Sequence, residues 1–342
     1  MTDIFDRPVT DASAWTAAEM RGSDAWVHVL SEADLADLDS ALRGVQARGL
    51  DMAQVTREEF PLPVLAPFLG ELENEVRTGR GFYVVRGIPT ERYTEEEVFM
   101  LTWGIGTHVG NKVSQNAYGD LLGHVFDHGL DPNEVRTRGY QSSDRLMFHV
   151  DRADMTALLC LRQAKEGGLS QIVSSTSVHN KLLAEHPEVL PPLYEGIPYI
   201  NIEAVGDLVT WKEPAYSTTG GHLNCTVRRN TVQRAIDKGN VAMSEAETAA
   251  LRAFDAATED PDLVLEMELE PGDIQFVNNY TILHGRSAFV DYGEPGKRRH
   301  LVRLWLQFFT PRPTADYIRS QFNGINKELE HEAGYGLEGK AL

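Results

Sequence analysis

The chain has 342 residues, of which 42% are hydrophobic and 24% charged, a composition typical of globular proteins and a length that suits one large or two smaller domains. Its formal net charge of −19 argues against a nucleic acid partner, because an acidic surface repels a phosphate backbone. The low count of two cysteines and the lack of a basic and apolar leader predict a cytoplasmic protein. No membrane partner is expected, because no apolar run reaches about 18 residues.

The first part of the chain is predicted to be mainly helical. A capping-box pattern at Ser31 precedes leucines at helical spacing, and a second helix is predicted over 64–77. The segment GFYVVRG, at 81–87, has the composition of a buried strand, and another capping box begins a predicted helix over 94–106. We therefore expect residues 1–79 to form a helical region that packs on the core.

Short β-rich segments dominate from about residue 120 onward. Residues 265–270 alternate between apolar residues and glutamate, which is the pattern of a half-buried strand, and a Pro-Gly-Asp turn at 271–273 opens the next strand. Helices are predicted near 175–186 and 244–258. Many short strands without regular alternation of strand and helix predict a mostly β sandwich or barrel with helical additions, rather than a doubly wound parallel sheet.

Three residues could hold a metal ion. The segment FHVD contains His149 and Asp151, and residues two apart on a strand project from the same face. This pair alone is a weak signal, because His-x-Asp arises by chance in many proteins. His284 ends an apolar run after the Pro-Gly-Asp turn, and a second strand of a barrel could bring it to the same metal. Two imidazoles and one carboxylate leave open coordination positions, which suits a non-haem Fe(II) oxygenase.

Two arginines follow in the segment KRRHLVRLWL. Arg299 and Arg303 are predicted to face inward on one strand, since residues four apart lie on the same face. A cosubstrate with a remote carboxylate needs a fixed guanidinium, which offers a planar, bidentate fork. Arg299 is the better candidate for that role, and Arg303 is a candidate for binding an anionic group of the substrate.

The order of these motifs, HxD, then a glycine pair, then PGD…H, then RxxxR, resembles the taurine-dioxygenase-like (TauD/TfdA) oxygenases, which are related to clavaminate synthase. The resemblance covers about residues 80–310. It implies a double-stranded β-helix, or jelly-roll, core. It also implies Fe(II) at His149, Asp151 and His284, with 2-oxoglutarate as the cosubstrate and O2 as the oxidant.

The same resemblance implies an anchor for 2-oxoglutarate. Arg299 would bind its far carboxylate, together with Ser170, which stands in GGLS where the family has a threonine. The implied activity is that of a dioxygenase that hydroxylates a small molecule (an amino acid, another small acid or a natural-product intermediate) and releases succinate and CO2. Arg303, Gln141 and Arg228 are candidates for further substrate contacts, with a structural ion pair as the alternative for Arg303 and a surface strand end for Arg228.

Two other functions use the same three metal-binding residues. A cupin-like metal hydrolase or isomerase could hold zinc there and activate water, but it would not need the anchor of Arg299 and Ser170. A non-catalytic binding protein would not be expected to keep an intact ligand set. The oxygenase interpretation therefore depends on the anchor as much as on the metal ligands.

The remaining expectations concern the organisation of the chain. Residues 80–312 are predicted to form the oxygenase domain, with a lid-like insert around 200–240, and residues 313–342 a C-terminal tail. We expect these regions and the N-terminal helices to form one structural unit, which could assemble as a homo-oligomer.

Overall fold

The computed structural model describes residues 4–131, 134, 137–202, 207–239 and 241–330. The helices are α1 (Ala17–Arg21), α2 (Glu32–Ala47), α3 (Ala66–Thr78), α4 (Glu95–Val109), α5 (Ser175–Glu185), α6 (Leu190–Glu195), α7 (Arg229–Asp237), α8 (Glu245–Thr258) and α9 (Asp316–Gln321). The strands are β1 (Val27–Val29), β2 (Phe82–Arg86), β3 (Asn111–Lys112), β4 (Leu122–Val125), β5 (Leu146–His149), β6 (Met155–Arg162), β7 (Glu166–Gly167), β8 (Ser170–Ser174), β9 (Ile197–Ile200), β10 (Thr210–Glu213), β11 (Tyr216–Thr219), β12 (His222–Cys225), β13 (Leu265–Met267), β14 (Ile274–Asn278), β15 (Ile282–Arg286), β16 (Phe289–Val290) and β17 (His300–Gln307).

Two sheets form the centre of the fold. The larger sheet has the strand order β1-β2-β14-β6-β17-β3, with β4 also paired to β17, and the smaller sheet has the order β13-β8-β15-β5. All pairs of neighbouring strands in these two sheets are antiparallel except β1 and β2, which are parallel. Such a pair of mainly antiparallel sheets is the arrangement expected of a jelly roll.

Alternation along the strands divides the apolar residues between two faces of the larger sheet. On β17, Leu301 joins a cluster that includes Ile172 and Ile282 of the smaller sheet. The alternate residues Val302 and Leu304 instead join the cluster that contains the N-terminal helices. Successive side chains of a strand point to opposite faces, so Arg303 and Trp305 share the face of Leu301 and point between the sheets.

The helices α2, α3 and α4 cover the outer face of the larger sheet. Their buried leucines pack in one cluster with the apolar residues of β6 and β14. The helices α2 and α4 begin at capping boxes whose side chains and backbone amides satisfy each other. The three predicted N-terminal helices and the strand at 81–87 are therefore confirmed, as are the predicted helices near 175–186 and 244–258.

The Pro-Gly-Asp turn fixes the start of β14. Gly272 has φ +91°, and a Cβ at this position would lie 1.9 Å from the carbonyl oxygen of Ile88, so only glycine fits. Asp273 is fully buried, and its carboxylate accepts three hydrogen bonds of 2.8–3.1 Å from the Arg86 guanidinium on β2. The turn thereby ties β14 to its neighbour in the larger sheet.

The segment predicted to form a lid contains regular elements. The hairpin of β11 and β12 and the helix α7 lie within 200–240, whereas residues 203–206 and 240 of this segment lie outside the described residues. Within the predicted tail, α9 is described, and residues 331–342 lie outside the described residues. The division into domains stays a prediction. Among the described helices, none is both long and apolar enough to cross a membrane.

Candidate metal centre and its cavity

The register of the smaller sheet brings two histidines together. His149 is the last residue of β5, and His284 lies within β15 directly opposite it. Their ring centroids are 4.3 Å apart. Directly opposed residues of antiparallel strands are close neighbours, so this pairing follows from the strand register alone.

Asp151 completes the cluster. Its Oδ1 lies 4.0 Å from Nε2 of His149, and its Oδ2 lies 3.7 Å from Nε2 of His284. One ligand atom from each of the three residues lies within 4.8 Å of the others, which is close enough for a single metal ion to be shared. The structure therefore brings together the three residues that the sequence singled out.

The position of Asp151 differs from the sequence expectation in one respect. The strand β5 ends at His149, so Asp151 does not share a strand face with it. The backbone N–H of Asp151 instead donates to Oδ1 of Asn279, at 3.0 Å. Nδ2 of Asn279 donates to the Thr156 hydroxyl, also at 3.0 Å. The carboxylate is thus placed by contacts from distant parts of the chain rather than by strand periodicity.

One oxygen of Asp151 is held by several donors. Oδ2 accepts hydrogen bonds from the Thr156 hydroxyl at 2.9 Å and from Nε1 of Trp305 at 2.8 Å. Nη1 of Arg303 lies 3.5 Å from the same oxygen. Thr156 and Trp305 are paired across β6 and β17, so both donors come from one rung of the larger sheet. This arrangement fixes the carboxylate and leaves Oδ1 facing His149.

The electrostatic state of the cluster suits a divalent cation. Burial, with the neighbouring His284, lowers the pKa of His149 to about 3, so this imidazole is neutral at pH 7. Its Nδ1 lies 2.9 Å from the Met147 carbonyl and must donate to it, which leaves the lone pair on Nε2 for a metal. Burial alone would raise the pKa of Asp151, but Arg303 and His284 hold it well below its usual value. Neutral imidazole and ionised carboxylate are the forms that bind metals.

Arg299 lines the same cavity as the three clustered residues. It is 6% exposed, and its Nη1 has no hydrogen-bond partner among the described residues. Burial lowers its pKa to about 10, so it remains charged at neutral pH. A buried guanidinium with an unsatisfied N–H group is costly, and a ligand carboxylate would offset that cost. Gly168, with φ +73°, leaves room for this side chain, because a Cβ there would lie 3.0 Å from Nε of Arg299.

Ser170 lines the cavity together with Arg299, but its hydroxyl is engaged. It donates to Oε1 of Gln275 at 2.8 Å, and both residues are buried. To donate to a ligand carboxylate, the Ser170 hydroxyl would have to turn away from Gln275. The role of Ser170 stays a prediction.

The residues predicted to contact substrate have different surroundings. Arg303 and Arg228 line the cavity, and both are buried. Nη2 of Arg228 donates to Glu213 at 2.7 Å, which gives this arginine a structural ion pair. Gln141 is not among the lining residues. Its side chain accepts a hydrogen bond of 2.8 Å from the backbone N–H of Arg138, so it stabilises the local turn.

Several residues of the site were not found by sequence reasoning. Trp305 and Thr156 hold Asp151, and Trp305 could have been found because it lies two residues after Arg303, on the same face of β17. Arg138 and Arg234 line the cavity, and no motif in the sequence distinguished them from surface arginines.

Comparisons with known proteins agree with this geometry. The family model described as "Taurine catabolism dioxygenase TauD, TfdA family" matches residues 46–305. The chain is 32% identical over 312 residues to FR-33289 synthase of Streptomyces rubellomurinus, covering 90% of this chain and 92% of that protein. It is also 32% identical over 305 residues to the taurine hydroxylase-like protein SAT17 of Stachybotrys chartarum, covering 86% of this chain and 79% of that protein.

The fold is also similar to that of solved structures. One is asparagine oxygenase in complex with Fe(II), 3-hydroxyasparagine and succinate, with a TM-score of 0.64 and 16% identity over 82% of this chain and 93% of that one. This similarity confirms the predicted fold class, a mostly β jelly-roll core with helical additions.

Proposed function

Since the chain belongs to the TauD/TfdA family, it is a non-haem Fe(II)- and 2-oxoglutarate-dependent dioxygenase, and we propose that His149, Asp151 and His284 bind its iron. The enzyme hydroxylates a small molecule and releases succinate and CO2. The observation that supports the proposed ligand set is the cluster of two imidazoles and one carboxylate whose ligand atoms lie within 4.8 Å of one another. This donor set matches the facial triad of Fe(II) oxygenases.

The bound iron and 2-oxoglutarate together supply the oxidising chemistry, in which one oxygen atom of O2 enters succinate and the other enters the product. The protein holds the reacting groups in position. Trp305 and Thr156 fix one oxygen of Asp151, so this carboxylate is oriented before any metal binds. The backbone carbonyl of Met147 fixes the tautomer of His149 in the same way.

Arg299 is proposed to bind the far carboxylate of 2-oxoglutarate. Its buried and unpartnered Nη1 supports this role, because a carboxylate would satisfy a charge that the described residues leave without a hydrogen bond. A hydrolase or isomerase using the same metal ligands has no use for such a group. Ser170 is proposed as a second contact to that carboxylate, once its hydroxyl has turned from Gln275.

We propose a small acid, such as an amino acid or a natural-product intermediate, as the substrate. The similarity to asparagine oxygenase and the arginines of the cavity support this choice. Arg303 lies beside Asp151, where it could bind an anionic group close to the metal. A cytoplasmic location remains part of the proposal, and it is supported by the two buried cysteines, which are unpaired.

The test uses metal-free protein under anaerobic conditions. Addition of Fe(II) and 2-oxoglutarate is expected to give the weak visible charge-transfer band of a chelated 2-oxo acid. His149→Ala should abolish the band. Arg299→Gln should keep it but require about ten- to a hundredfold more 2-oxoglutarate, the loss expected for a charged hydrogen bond. Arg252, an exposed residue of α8, provides the matched control Arg252→Gln. A wild-type protein that gives no band but binds zinc tightly would overturn the proposal.

A further inference from the structure

We propose that the C-terminal segment 321–325 positions the metal centre, because it holds residues 149–152, which include the proposed ligands His149 and Asp151. This inference rests on the proposed function, since it names a positioning element for the same iron site. The segment lies outside residues 46–305, which the family model matches, so membership of the family assigns it no role.

The first observation is a pair of hydrogen bonds at Arg152, the residue that follows Asp151. The N–H of Gly324 donates to the Arg152 carbonyl at 3.0 Å. Nε of Arg152 in turn donates to the carbonyl of Gln321 at 2.9 Å. The segment therefore holds both the backbone and the side chain of Arg152. Because the peptide unit between Asp151 and Arg152 is planar, fixing Arg152 restricts the backbone of Asp151 as well.

The second observation is an apolar contact behind a residue that holds the Asp151 carboxylate. Ile325 is 7% exposed and belongs to one small apolar cluster with Trp305 and Ala153. The indole N–H of Trp305 donates to Oδ2 of Asp151 at 2.8 Å. Since buried side chains are closely packed, the Ile325 side chain limits how far the indole can move away from the carboxylate.

The third observation links the segment to His149, which makes an isolated antiparallel bridge with Arg228. Nη2 of Arg228 donates to Oε1 of Glu213 at 2.7 Å and to Oε1 of Gln321 at 3.2 Å. Nε2 of Gln321 donates to the second oxygen of Glu213, Oε2, at 2.6 Å. One side chain of the segment thus bridges both members of a buried ion pair, and the arginine of that pair is the bridge partner of a proposed metal ligand.

The segment is itself fixed to the rest of the fold. The ring of Phe322 stacks on that of Tyr280, with centroids 5.4 Å apart. The N–H of Ile325 donates to the Ser114 carbonyl at 2.9 Å. Gly324 has φ +75°, and a Cβ there would lie 2.6 Å from the same carbonyl oxygen, so glycine allows the chain to pass this close. A segment held in this way can keep residues 149–152 in one position.

The experiment measures the affinity for Fe(II) under anaerobic conditions at saturating 2-oxoglutarate, followed by the charge-transfer band. Ile325→Ala removes the packing behind Trp305. Its matched control is Ile318→Ala, because Ile318 of α9 is 0% exposed and packs in the main apolar cluster instead. Both substitutions leave a cavity, so both should unfold at a lower urea concentration than the wild type.

Only Ile325→Ala is expected to weaken Fe(II) binding, by at least about threefold, which is less than the loss typical of groups that contact a ligand directly. Ile325→Val keeps most of the packing and should restore most of the affinity. A second variant covers the case in which Ile325→Ala fails to fold. Gln321→Ala removes the amide that bridges the ion pair and should also weaken Fe(II) binding at least about threefold. Its control is Asn323→Ala, because Asn323 accepts from the exposed Gln307 at 2.6 Å.

The outcomes separate the two proposals. A loss of Fe(II) affinity of this size in either variant, not shared by its control, supports the inference. If the wild type gives the charge-transfer band and neither variant shows such a loss, the inference is refuted and the proposed function stands. If the wild type gives no band, the proposed function is refuted and the inference falls with it.

Discussion

Replacing Trp305 with phenylalanine is expected to weaken metal binding without touching a metal ligand. The indole N–H donates to Oδ2 of Asp151 at 2.8 Å, and phenylalanine keeps an aromatic ring but lacks this donor. A hydrogen bond to a charged group contributes about 1.5–3 kcal/mol. The Thr156 hydroxyl remains on the same oxygen, so part of the positioning survives. We therefore expect the affinity for Fe(II) to fall by about ten- to a hundredfold, the range typical of such outer contacts.

The assay is an anaerobic titration of metal-free protein with Fe(II) at saturating 2-oxoglutarate, followed by the charge-transfer band. Trp305 is 1% exposed, so the smaller ring also leaves a cavity that lowers the free energy of unfolding. The control Trp26→Phe separates the two effects, because Nε1 of Trp26 donates to the Met20 carbonyl, far along the chain from the cluster. Both variants should unfold at lower denaturant concentration, but only Trp305→Phe should bind Fe(II) more weakly. An Fe(II) affinity within twofold of the wild type would refute this account of how Asp151 is held.

Three further substitutions test other parts of the structure. Gly168→Ala should weaken 2-oxoglutarate binding and lower the free energy of unfolding by about 1–2 kcal/mol, because φ is +73° and the new Cβ would crowd Arg299. Gly293, which has open space around it, provides the control Gly293→Ala. Equal effects of the two substitutions would contradict the argument. Ser170→Ala should raise the 2-oxoglutarate concentration at half-saturation about two- to tenfold, and an unchanged value would remove Ser170 from the anchor. Asp273→Asn weakens the ion pair with Arg86, so it should lower the free energy of unfolding, measured in urea, by about 1–3 kcal/mol and leave 2-oxoglutarate binding intact. Loss of 2-oxoglutarate binding in a variant of unchanged stability would show that the Pro-Gly-Asp turn does more than hold the sheet.

The clustering of the three proposed metal ligands could be predicted because the chemistry restricts the residue types and the strand pattern restricts their order. His149 and His284 stand in short β-rich segments, and the structure pairs them across neighbouring strands. The placement of Asp151 could not be predicted in the same way. The position of Asp151 depends on hydrogen bonds with Asn279, Thr156 and other residues. Some of these residues, such as Asn279, lie more than a hundred positions from Asp151 in the sequence, and such contacts leave no local signal.

The part of the cavity that α7 lines was harder to predict for a different reason. The helix α7 begins at Arg229, and the residue before it, Arg228, makes no side-chain capping hydrogen bond, so the sequence lacks the usual start signal for this helix. Without the helix, Arg234 could not be placed on a face. Gln141 was assigned to the substrate from its position before the metal motif, yet its side chain stabilises a turn through the N–H of Arg138. A substrate contact by Gln141 stays a prediction.

The strand β5 is the terminal strand of the smaller sheet. It carries His149, which lies opposite His284 of the neighbouring strand β15. β15 is its one partner strand within that sheet, and on its other edge β5 makes an isolated bridge between His149 and Arg228. A strand at the edge of a sheet can open locally without unfolding of the rest. The proposed metal ion, bound jointly to His149 and His284, would hold that strand in place, and at a hundred times its dissociation constant it would oppose opening by about 2.7 kcal/mol. The wall of the cavity formed by β5 is therefore expected to tighten as the enzyme acquires its metal, which would appear as slower hydrogen exchange of the β5 amides.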